Sequence, residues 1–399
     1  MKYWIWAVLF FYLLGSPSSA QQDYELSFLV VRSRTGEVLR SQEEDKPRTP
    51  ASTMKLVTAA AALETLGPDH HYFTQVRASG PTIRGRLRGN LALYGEGYLE
   101  LTEASLEELA SQLQRLGLRA VSGDLIVDDG GSGWPPYGPG WAWDDAGSEY
   151  SPEVTGLALN GGVVELTSRT KLPWLVQEPA EENSVLLVPG RSGVLVRGEL
   201  PDSIAPPNSA VLTGERFVQI LARHGIRVRG LVRRGVATGQ TLAEHRSRPL
   251  QQLLTEAMAT SDNLAMELIH RSTGEKLPRS LEGQKLRRAD GSGLSRYNLL
   301  SASQLVTVLR STSGLKEVLP GSGQGTLKKR FLEGAAAGNI KAKTGSLGNV
   351  SGLAGYLFPG TPEELTFAIL INGHLGSGAE RKRLEDELVE SWVQDFARR

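Results

Sequence analysis

The sequence predicts an α/β protein in which a catalytic domain of helices and strands is interrupted by a β-rich insertion. Three short motifs of one reaction type occur in one order along the chain. The first two motifs lie 209 residues apart and the last two only 82, so the first interval holds far more chain than a connector needs. The apolar positions Leu384, Leu388, Trp392 and Phe396 have four-residue spacing, which predicts an amphipathic helix packed on a sheet.

The three motifs are Ser52-Thr53-Met54-Lys55, Ser261-Asp262-Asn263 and Lys343-Thr344-Gly345. At average residue usage, S-x-x-K should occur about once by chance in a chain of this length, and a fixed tripeptide about a tenth as often. K-T-G and S-x-N each occur once here, whereas S-x-x-K also occurs at Ser168/Lys171 and Ser313/Lys316. The order and the K-T-G therefore carry the specificity, and context must select the serine.

Context selects Ser52. Thr49 is a candidate helix cap, Pro50 suits the first helical position, and Gly67-Pro68 stops the helix. Ser52 then lies in the first turn, where the helix dipole favours a developing alkoxide, and Lys55 shares its face. Ser168 lies in a strand-like run and Ser313 beside a glycine after the second motif, so both of these matches are interpreted as accidental.

The other motifs fall between and within predicted elements. Helical spacing over 249–258 stops at Ser261 and resumes at Leu264, so Ser261 and Asn263 are expected on an inter-helix loop. Lys343 opens a strand region, followed by strands over 352–358 and 365–371. On that first strand Lys343 and Gly345 face one side, and Gly345 would let a substrate backbone approach closely.

These residue types suit nucleophilic acyl transfer. Ser52 needs a base, and Lys55 would serve if neutral. Lowering a lysine pKa to about 7 costs roughly 4–5 kcal/mol, and a second cation about 4 Å away would supply about 4 kcal/mol, which predicts that Lys343 is that cation, aided by desolvation.

The remaining roles follow from the same chemistry. Ser261 would relay a proton to the leaving amine and Asn263 would hold a substrate amide. Thr344 and Ser346 would bind a substrate carboxylate beside Lys343. The backbone N–H groups of Ser52 and Ser346 are the expected oxyanion hole.

Composition sets the location and excludes other chemistries. Residues 1–20 have one basic residue, a short apolar core and small residues at Ser18 and Ala20, which predicts a signal peptide and an exported, most simply periplasmic, protein. The chain has no cysteine, so no disulfides form, and its net charge of zero argues against nucleic acid as a partner. The six histidines lack His-Glu-x-x-His spacing and no three-glycine dinucleotide loop occurs, so we expect no metal and no cofactor.

Beyond the motifs, the chain resembles the class C low-molecular-mass penicillin-binding proteins, the type-4 D-alanyl-D-alanine carboxypeptidase/endopeptidases. The resemblance extends over nearly all the chain after residue 20 and rests on the three motifs, the long insertion and these runs: 50–56, 123–129 (Gly-Asp-Leu-Ile-Val-Asp-Asp), 140–145 (Gly-Trp-Ala-Trp-Asp-Asp) and 290–296 (Asp-Gly-Ser-Gly-Leu-Ser-Arg). It departs at 95–99, where the family tends toward G-x-G-D-P and this chain has Gly-Glu-Gly-Tyr-Leu, which leaves the shape of that loop in doubt but not the catalytic motifs.

The resemblance implies a transpeptidase/β-lactamase-like domain, an antiparallel sheet flanked by helices, interrupted by two inserted mainly-β domains. We expect the catalytic domain at 21–68 and 242–399, a small inserted domain at 69–90 and 205–241, and a second β-rich one at 91–204.

The resemblance also implies cleavage of D-Ala-D-Ala peptides of peptidoglycan through a Ser52 acyl-enzyme that β-lactams trap. Asp145 would bind the ammonium end of a diaminopimelate-like side chain, Tyr150 would line the same pocket, and Arg296 would lie near the substrate. Peripheral membrane association is compatible with such a protein, and the oligomeric state is left open.

Two alternatives use the same residues. A serine β-lactamase shares the motifs but must also hydrolyse its acyl-enzyme fast, and no dedicated deacylating glutamate loop stands out. A non-catalytic wall-binding protein on the same fold would not need Ser52, Lys55, Ser261 and Lys343 intact. The sequence does not set the balance between carboxypeptidase and endopeptidase activity, nor the third residue of the stem peptide.

Overall fold

The structure is a computed structural model that describes residues 24–97, 100–130, 135–166, 175–180, 183–187 and 193–397. The predicted signal peptide lies outside these residues. Among the described residues, no helix has the length and apolar character needed to cross a bilayer. The α-helices are α1 Met54–Thr65, α2 Glu103–Arg115, α3 Ser209–Arg223, α4 Leu250–Thr260, α5 Asn263–Ser272, α6 Ala302–Ser311 and α7 Gly378–Ala397.

The described residues contain nineteen strands. The first ten are β1 Glu25–Arg32, β2 Val38–Gln42, β3 Phe73–Ser79, β4 Thr82–Ile83, β5 Arg86–Leu87, β6 Asn90–Gly95, β7 Ala120–Val121, β8 Leu125–Asp128, β9 Val164–Glu165 and β10 Leu175–Glu178. The others are β11 Ser184–Leu187, β12 Val194–Arg197, β13 Ser203–Ile204, β14 Arg227–Val228, β15 Val232–Arg234, β16 Gln240–Arg246, β17 Ile340–Leu347, β18 Val350–Leu357 and β19 Leu365–Asn372.

The catalytic domain is built on a five-stranded antiparallel sheet in the order β17-β18-β19-β1-β2. Helix α1 is buried along its length, from Met54 to Leu63, between this sheet and helices α4, α5 and α6. Its four consecutive alanines, 59–62, are fully buried, and such small side chains let neighbouring elements approach closely. The predicted fold class, helices flanking an antiparallel sheet, is confirmed.

Helix α7 covers the opposite face of the sheet. Trp392 is buried against Phe28 and Phe367, and Leu384, Leu388 and Phe396 pack around the same cluster. The predicted amphipathic helix is therefore confirmed. The strands predicted over 352–358 and 365–371 are β18 and β19, while Lys343 lies inside β17 rather than at its start.

The insertion between α1 and α4 forms two units. The first contains the five-stranded sheet β15-β8-β6-β3-β16 and the four-stranded sheet β14-β7-β5-β4, with α2 and α3 packed on them. The second contains the small sheets β9-β13 and β10-β12-β11. The core of the first unit is continuous with that of the catalytic helices, since both belong to one cluster of buried apolar residues.

Strand pairing differs from the predicted domain boundaries. Strands β6 and β8 pair with each other and β6 pairs with β3, so residues 91–128 belong with the first inserted unit and not with the second. Strand β16 pairs with β3 as far as Arg246, so the catalytic domain resumes after it and not at residue 242. The first unit also carries the helices α2 and α3.

Candidate active site

The nucleophile candidate Ser52 lies in a short 3-10 turn, Ala51–Thr53, that leads into α1. Ala51 has a φ of 47°, a left-handed conformation that costs an alanine about 1–2 kcal/mol. Such strain persists only where neighbouring structure enforces it, and it concentrates at functional sites. Thr49 is not the helix cap that the sequence predicted, because its backbone N–H and C=O are both bonded to the side chain of Asn372 on β19.

Glycines on both sides hold this turn in place. A Cβ on Gly293 would lie 2.0 Å from the carbonyl oxygen of Ala51, and one on Gly345 would lie 2.8 Å from that of Pro50. The predicted reason for Gly345, close approach of a substrate backbone, is therefore not the one the structure shows. Its missing side chain makes room for the turn that carries Ser52.

Lys55 is fully buried and points at Ser52. Its Nζ lies 2.9 Å from Ser52 Oγ, 2.6 Å from Asn263 Oδ1 and 2.6 Å from the carbonyl oxygen of Ser292. Burial lowers the pKa of Lys55 to about 8, although the charges of Asp290, Asp262 and Glu267 raise it. A lysine with such a pKa is partly neutral near neutral pH, as a general base must be.

The second motif straddles the junction of two helices. Ser261 ends α4 with a φ of 61°, and Asp262 caps α5 by accepting from the N–H of Ala265 at 2.9 Å. Asn263 is the first residue of α5, so only Ser261 and Asp262 form the loop that the sequence predicted for the whole motif. Asn263 contacts Lys55 through its oxygen and donates from its nitrogen to the carbonyl oxygen of Tyr150 at 2.8 Å.

Lys343 is the second fully buried lysine of the site. Its Nζ donates to Ser261 Oγ at 2.9 Å and to the carbonyl oxygen of Thr344 at 2.8 Å. Burial, followed by the charge of Lys55, lowers the pKa of Lys343 well below its ordinary value. The prediction that Lys343 is the main cause of a low Lys55 pKa is wrong, since desolvation is the largest cause for both lysines.

The sequence did not predict a role for Asp290. This fully buried carboxylate accepts from the backbone N–H groups of Gly293 and Ser295 at 2.8 and 2.7 Å, and from Asn298 Nδ2 at 2.7 Å. It thereby shapes the loop whose Ser292 carbonyl receives Lys55. The signal was available, because an aspartate ahead of Gly-Ser-Gly favours a turn closed by its own carboxylate.

Two further groups brace the same loop. Trp141, from the second inserted unit, donates its indole N–H to Asp290 Oδ2 at 2.9 Å. Glu267 of α5 accepts from the N–H of Gly291 at 2.7 Å, and burial with the nearby charge of Asp290 raises the pKa of Glu267 to about 7. No local pattern around Trp141 distinguishes it from its neighbour Trp143.

The three specificity candidates lie in two places. Tyr150 donates its hydroxyl to Asp145 Oδ1 at 2.7 Å, and the backbone of Tyr150 contacts Asn263, so this pair adjoins the second motif. Arg296 follows the Asp290 loop and donates to the carbonyl oxygen of Gly348, just past β17. On β17 itself, Thr344 is half-buried and Ser346 exposed.

The rejected S-x-x-K match at Ser313/Lys316 is not assembled in this way. Lys316 forms an ion pair with Glu364 at 2.7 Å, and Ser313 is exposed. Ser168 and Lys171 lie outside the described residues. No group of three or more His, Cys, Asp or Glu side chains suited to a metal ion occurs in the part of the chain that the structure describes.

Ser52 has a buried lysine at hydrogen-bond distance, and a second serine and lysine lie beside this pair in front of an antiparallel sheet. This arrangement defines a penicillin-binding type of active-site serine enzyme. The chain belongs to the D-Ala-D-Ala carboxypeptidase 3 (S13) family, whose model matches residues 18–182 and 176–394. It is a serine-type D-Ala-D-Ala carboxypeptidase related to the type-4 low-molecular-mass penicillin-binding proteins.

Known proteins resemble the chain over most of its length. It is 32% identical to a D-alanyl-D-alanine carboxypeptidase of an Actinomadura species, over 87% of this chain and 78% of that one. It is 28% identical to the D-alanyl-D-alanine carboxypeptidase DacB of Haemophilus influenzae, over 85% of this chain and 84% of that one. The crystal structure of penicillin binding protein 4 from Haemophilus influenzae superposes with a TM-score of 0.79 at 24% identity, covering 90% of this chain and 92% of that one.

Proposed function

We propose that Ser52 is the nucleophile and Lys55 its general base in the cleavage of D-Ala-D-Ala stem peptides. The observation that carries this proposal is the 2.9 Å separation of Lys55 Nζ and Ser52 Oγ inside a buried site. Neutral Lys55 accepts the hydroxyl proton as Ser52 Oγ attacks the carbonyl carbon of the penultimate D-Ala. An ester forms at Ser52 after the C–N bond breaks, and water then hydrolyses that ester.

The leaving amine of the terminal D-Ala needs a proton. Ser261 lies between Lys343 and the site, with Lys343 Nζ at 2.9 Å from its hydroxyl oxygen. We assign Ser261 the relay that gives its proton to the amine and takes a proton from Lys343 in exchange. Asn263, held by Lys55 and by Tyr150, positions the substrate amide.

The terminal carboxylate and the developing oxyanion are bound along β17. Thr344 and Ser346 present hydroxyls on the strand that carries Lys343, which suits a carboxylate. A Cβ on Gly345 would lie 3.2 Å from the backbone nitrogen of Ser52, so this nitrogen adjoins the strand. The N–H groups of Ser52 and Ser346 together form the proposed oxyanion hole.

Asp145, Tyr150 and Arg296 are proposed to select the stem-peptide side chain. The half-buried carboxylate of Asp145, oriented by the hydroxyl of Tyr150, suits an ammonium group at the end of a diaminopimelate-like residue. The guanidinium of Arg296 suits a carboxylate on the same substrate. Such a substrate lies outside the cytoplasm, which agrees with the proposed signal peptide over 1–20 and a periplasmic location.

The test is the intact mass of the protein after brief exposure to benzylpenicillin. We expect a stable one-to-one penicilloyl adduct, absent from Ser52→Ala and retained by Ser313→Ala, which removes the exposed serine of an unused S-x-x-K match. Penicillin consumed without an adduct would indicate a β-lactamase. If no adduct forms and no penicillin is consumed, the result would favour the non-catalytic wall-binding protein.

A second assay addresses the side-chain pocket and the type of bond cleaved. Release of D-Ala from a diaminopimelate-containing pentapeptide is compared with cleavage of a cross-linked dimer of the same peptide. Asp145→Asn should raise KM for both substrates and leave penicillin acylation unchanged, because benzylpenicillin has no ammonium group for Asp145. Equal KM values in the variant and the wild type would remove Asp145 from the pocket.

A further inference from the structure

Arginines are concentrated in the first inserted unit. The segments 81–90, 115–123 and 225–233 contain eight arginines but neither lysine nor any acidic residue, in a chain whose net charge is zero. The structure joins all three segments in the sheet β14-β7-β5-β4. The eight are Arg84, Arg86, Arg88, Arg115, Arg119, Arg227, Arg229 and Arg233.

Strand register places two of these arginines on one outer face. Arg86 and Arg227 both pair with Ala120 of the central strand β7, one from each side. The next register position holds Leu87 and Val121, which are fully buried. Because side chains alternate across a strand, Arg86 and Arg227 point outward, about 9–10 Å apart across two strand spacings.

The pattern repeats one step further along. Backbone bonds continue past the strand ends, from Ser122 N to Leu87 O at 3.0 Å and from Arg229 N to Val121 O at 3.1 Å. Arg88 and Arg229 therefore follow Arg86 and Arg227 on the same side, and all four are exposed. We call these four residues the arginine face; small residues, Ala120 and Ser122, lie between its two rows.

The arginine face has no internal counter-charge. None of its four guanidinium groups forms an ion pair with a residue that the structure describes, whereas nearby Arg233 pairs with Asp124 at 3.1 Å. Four like charges on one small sheet repel one another, and an anion relieves that repulsion. Guanidinium groups bind phosphate through two parallel hydrogen bonds, which makes arginine well suited to phosphate recognition.

Apolar side chains at the border of the face distinguish between phosphate sources. Ile83 pairs in register with Arg86, so it lies on the same face, and it is 45% exposed. Leu231, two residues beyond Arg229, is 64% exposed. Exposed aliphatic side chains add nothing to the binding of a soluble phosphate-bearing polymer, whereas the boundary of a bilayer binds cationic and apolar groups together.

We propose that the arginine face docks this enzyme onto an anionic phospholipid surface, with the four guanidinium groups on headgroup phosphates and Ile83 and Leu231 at the acyl boundary. Each arginine near an anionic leaflet contributes a factor of about five in binding, so the four together contribute a few hundredfold. The attraction should weaken as salt is added, since exposed charges are screened. This docking is independent of the chemistry at Ser52.

The test is sedimentation of the chain from Gln21 onward, which keeps every described residue, with vesicles of phosphatidylglycerol and phosphatidylcholine. We expect binding to these vesicles and none to pure phosphatidylcholine. Changing all four residues of the arginine face to Gln should weaken binding at least about a hundredfold. The matched control changes four exposed lysines of the catalytic domain to Gln, with the same loss of charge and unchanged binding: Lys46, Lys285, Lys328 and Lys329.

Two results would overturn the proposal: no binding by the wild type, or equal weakening by the control variant. Soluble polyphosphate separates the sources of phosphate. Ile83→Gln with Leu231→Gln should weaken vesicle binding and leave polyphosphate binding unchanged. If this pair of changes leaves vesicle binding as strong as in the wild type, Ile83 and Leu231 do not enter the acyl boundary, and the apolar part of the proposal is overturned. Penicillin acylation of each variant, expected at the wild-type rate, reports that the protein is folded.

Discussion

At the scale of single residues, the site depends on burying two lysines. Removing Lys55 and Lys343 from water disfavours their charged forms, and the nearby carboxylate of Asp290 keeps the pKa of Lys55 from falling further. Lys55 is left with a pKa of about 8, close to the pH at which a base is most useful. In the proposed mechanism the base is therefore a lysine and not a histidine.

The acylation rate should therefore depend on pH in a defined direction. Only neutral Lys55 accepts the proton of Ser52, so the second-order rate constant with benzylpenicillin should rise about tenfold per pH unit below the pKa of Lys55 and level off above it. The midpoint should lie at about 8. Rates measured between about pH 6 and 10 check this, and a flat profile would show that Ser52 loses its proton elsewhere.

Lys55→Arg tests the same role by substitution. Arginine keeps the positive charge but does not deprotonate, so acylation should fall by about a hundred- to ten-thousandfold. Lys316→Arg, which changes the lysine of an unused S-x-x-K match that pairs with Glu364, should acylate at the wild-type rate. A Lys55→Arg enzyme with wild-type activity would exclude this lysine as the base.

Gly345 gives a second prediction at the residue scale. A Cβ there would meet the backbone oxygen of Pro50 at 2.8 Å, so Gly345→Ala should displace the turn that carries Ser52 and slow acylation by about ten- to a hundredfold. Gly378→Ala is the control, since its Cβ would meet only the flexible Arg381 side chain at 3.8 Å. If both variants acylate at the same rate, the turn tolerates the displacement.

At the scale of elements, a buried ion pair fixes α7 to the catalytic domain. Glu385 of α7 is 1% exposed and accepts from Arg330 Nη2 at 2.9 Å and from Ser351 Oγ of β18 at 2.6 Å. Burial raises the pKa of Glu385, against the effect of the Arg330 charge. Helix α7 is thus attached to the sheet by charge as well as by Trp392.

Arg330→Ala should reduce the free energy of unfolding by about 3–5 kcal/mol, because it leaves the carboxylate of Glu385 buried and unpaired. The loss should shrink as pH falls, since protonation neutralises that carboxylate. Arg383→Ala, which removes an exposed pair with Glu387, should cost only about 0–1 kcal/mol. Urea unfolding of both variants measures the difference, and equal losses would contradict the ion pair's role.

At the scale of the whole molecule, both inserted units are in contact with the catalytic domain. The apolar core runs without interruption from the catalytic helices into the first inserted unit. The second unit reaches the site through Trp141, whose indole N–H binds Asp290, and through Tyr150, whose carbonyl binds Asn263. Movements of the insertion should therefore change the surroundings of Lys55.

Trp141→Phe tests that connection. Loss of one hydrogen bond to a buried carboxylate should loosen the Asp290 loop and slow acylation by about tenfold, equivalent to roughly 1.4 kcal/mol. If Asp290 moves away from Lys55, the pKa of Lys55 falls, so the midpoint of the pH profile should shift to lower pH. Trp143→Phe is the matched control, because Trp143 is 67% exposed. An unshifted midpoint with an unchanged rate would show that the insertion does not act on the site.

Local patterns in the sequence determined much of this protein. Motif order, the Gly67-Pro68 stop, the strands after Lys343 and the spacing of the last helix each depend on near neighbours, and the structure agrees with them. These signals were sufficient for the fold class and for the three motifs. They failed at Thr49, whose backbone is bound by Asn372 from 323 positions further along the chain.

Only the tertiary structure decided the rest. Residues 91–128 belong to the first inserted unit because β6 pairs with β3 and β8, and no local sequence pattern predicts this pairing. Gly345, Asp290 and Trp141 gained their roles from backbone and side chains distant in sequence. Desolvation lowers the pKa values of Lys55 and Lys343 because the whole fold removes water from them, and burial of that kind is a property of the packed molecule rather than of any segment.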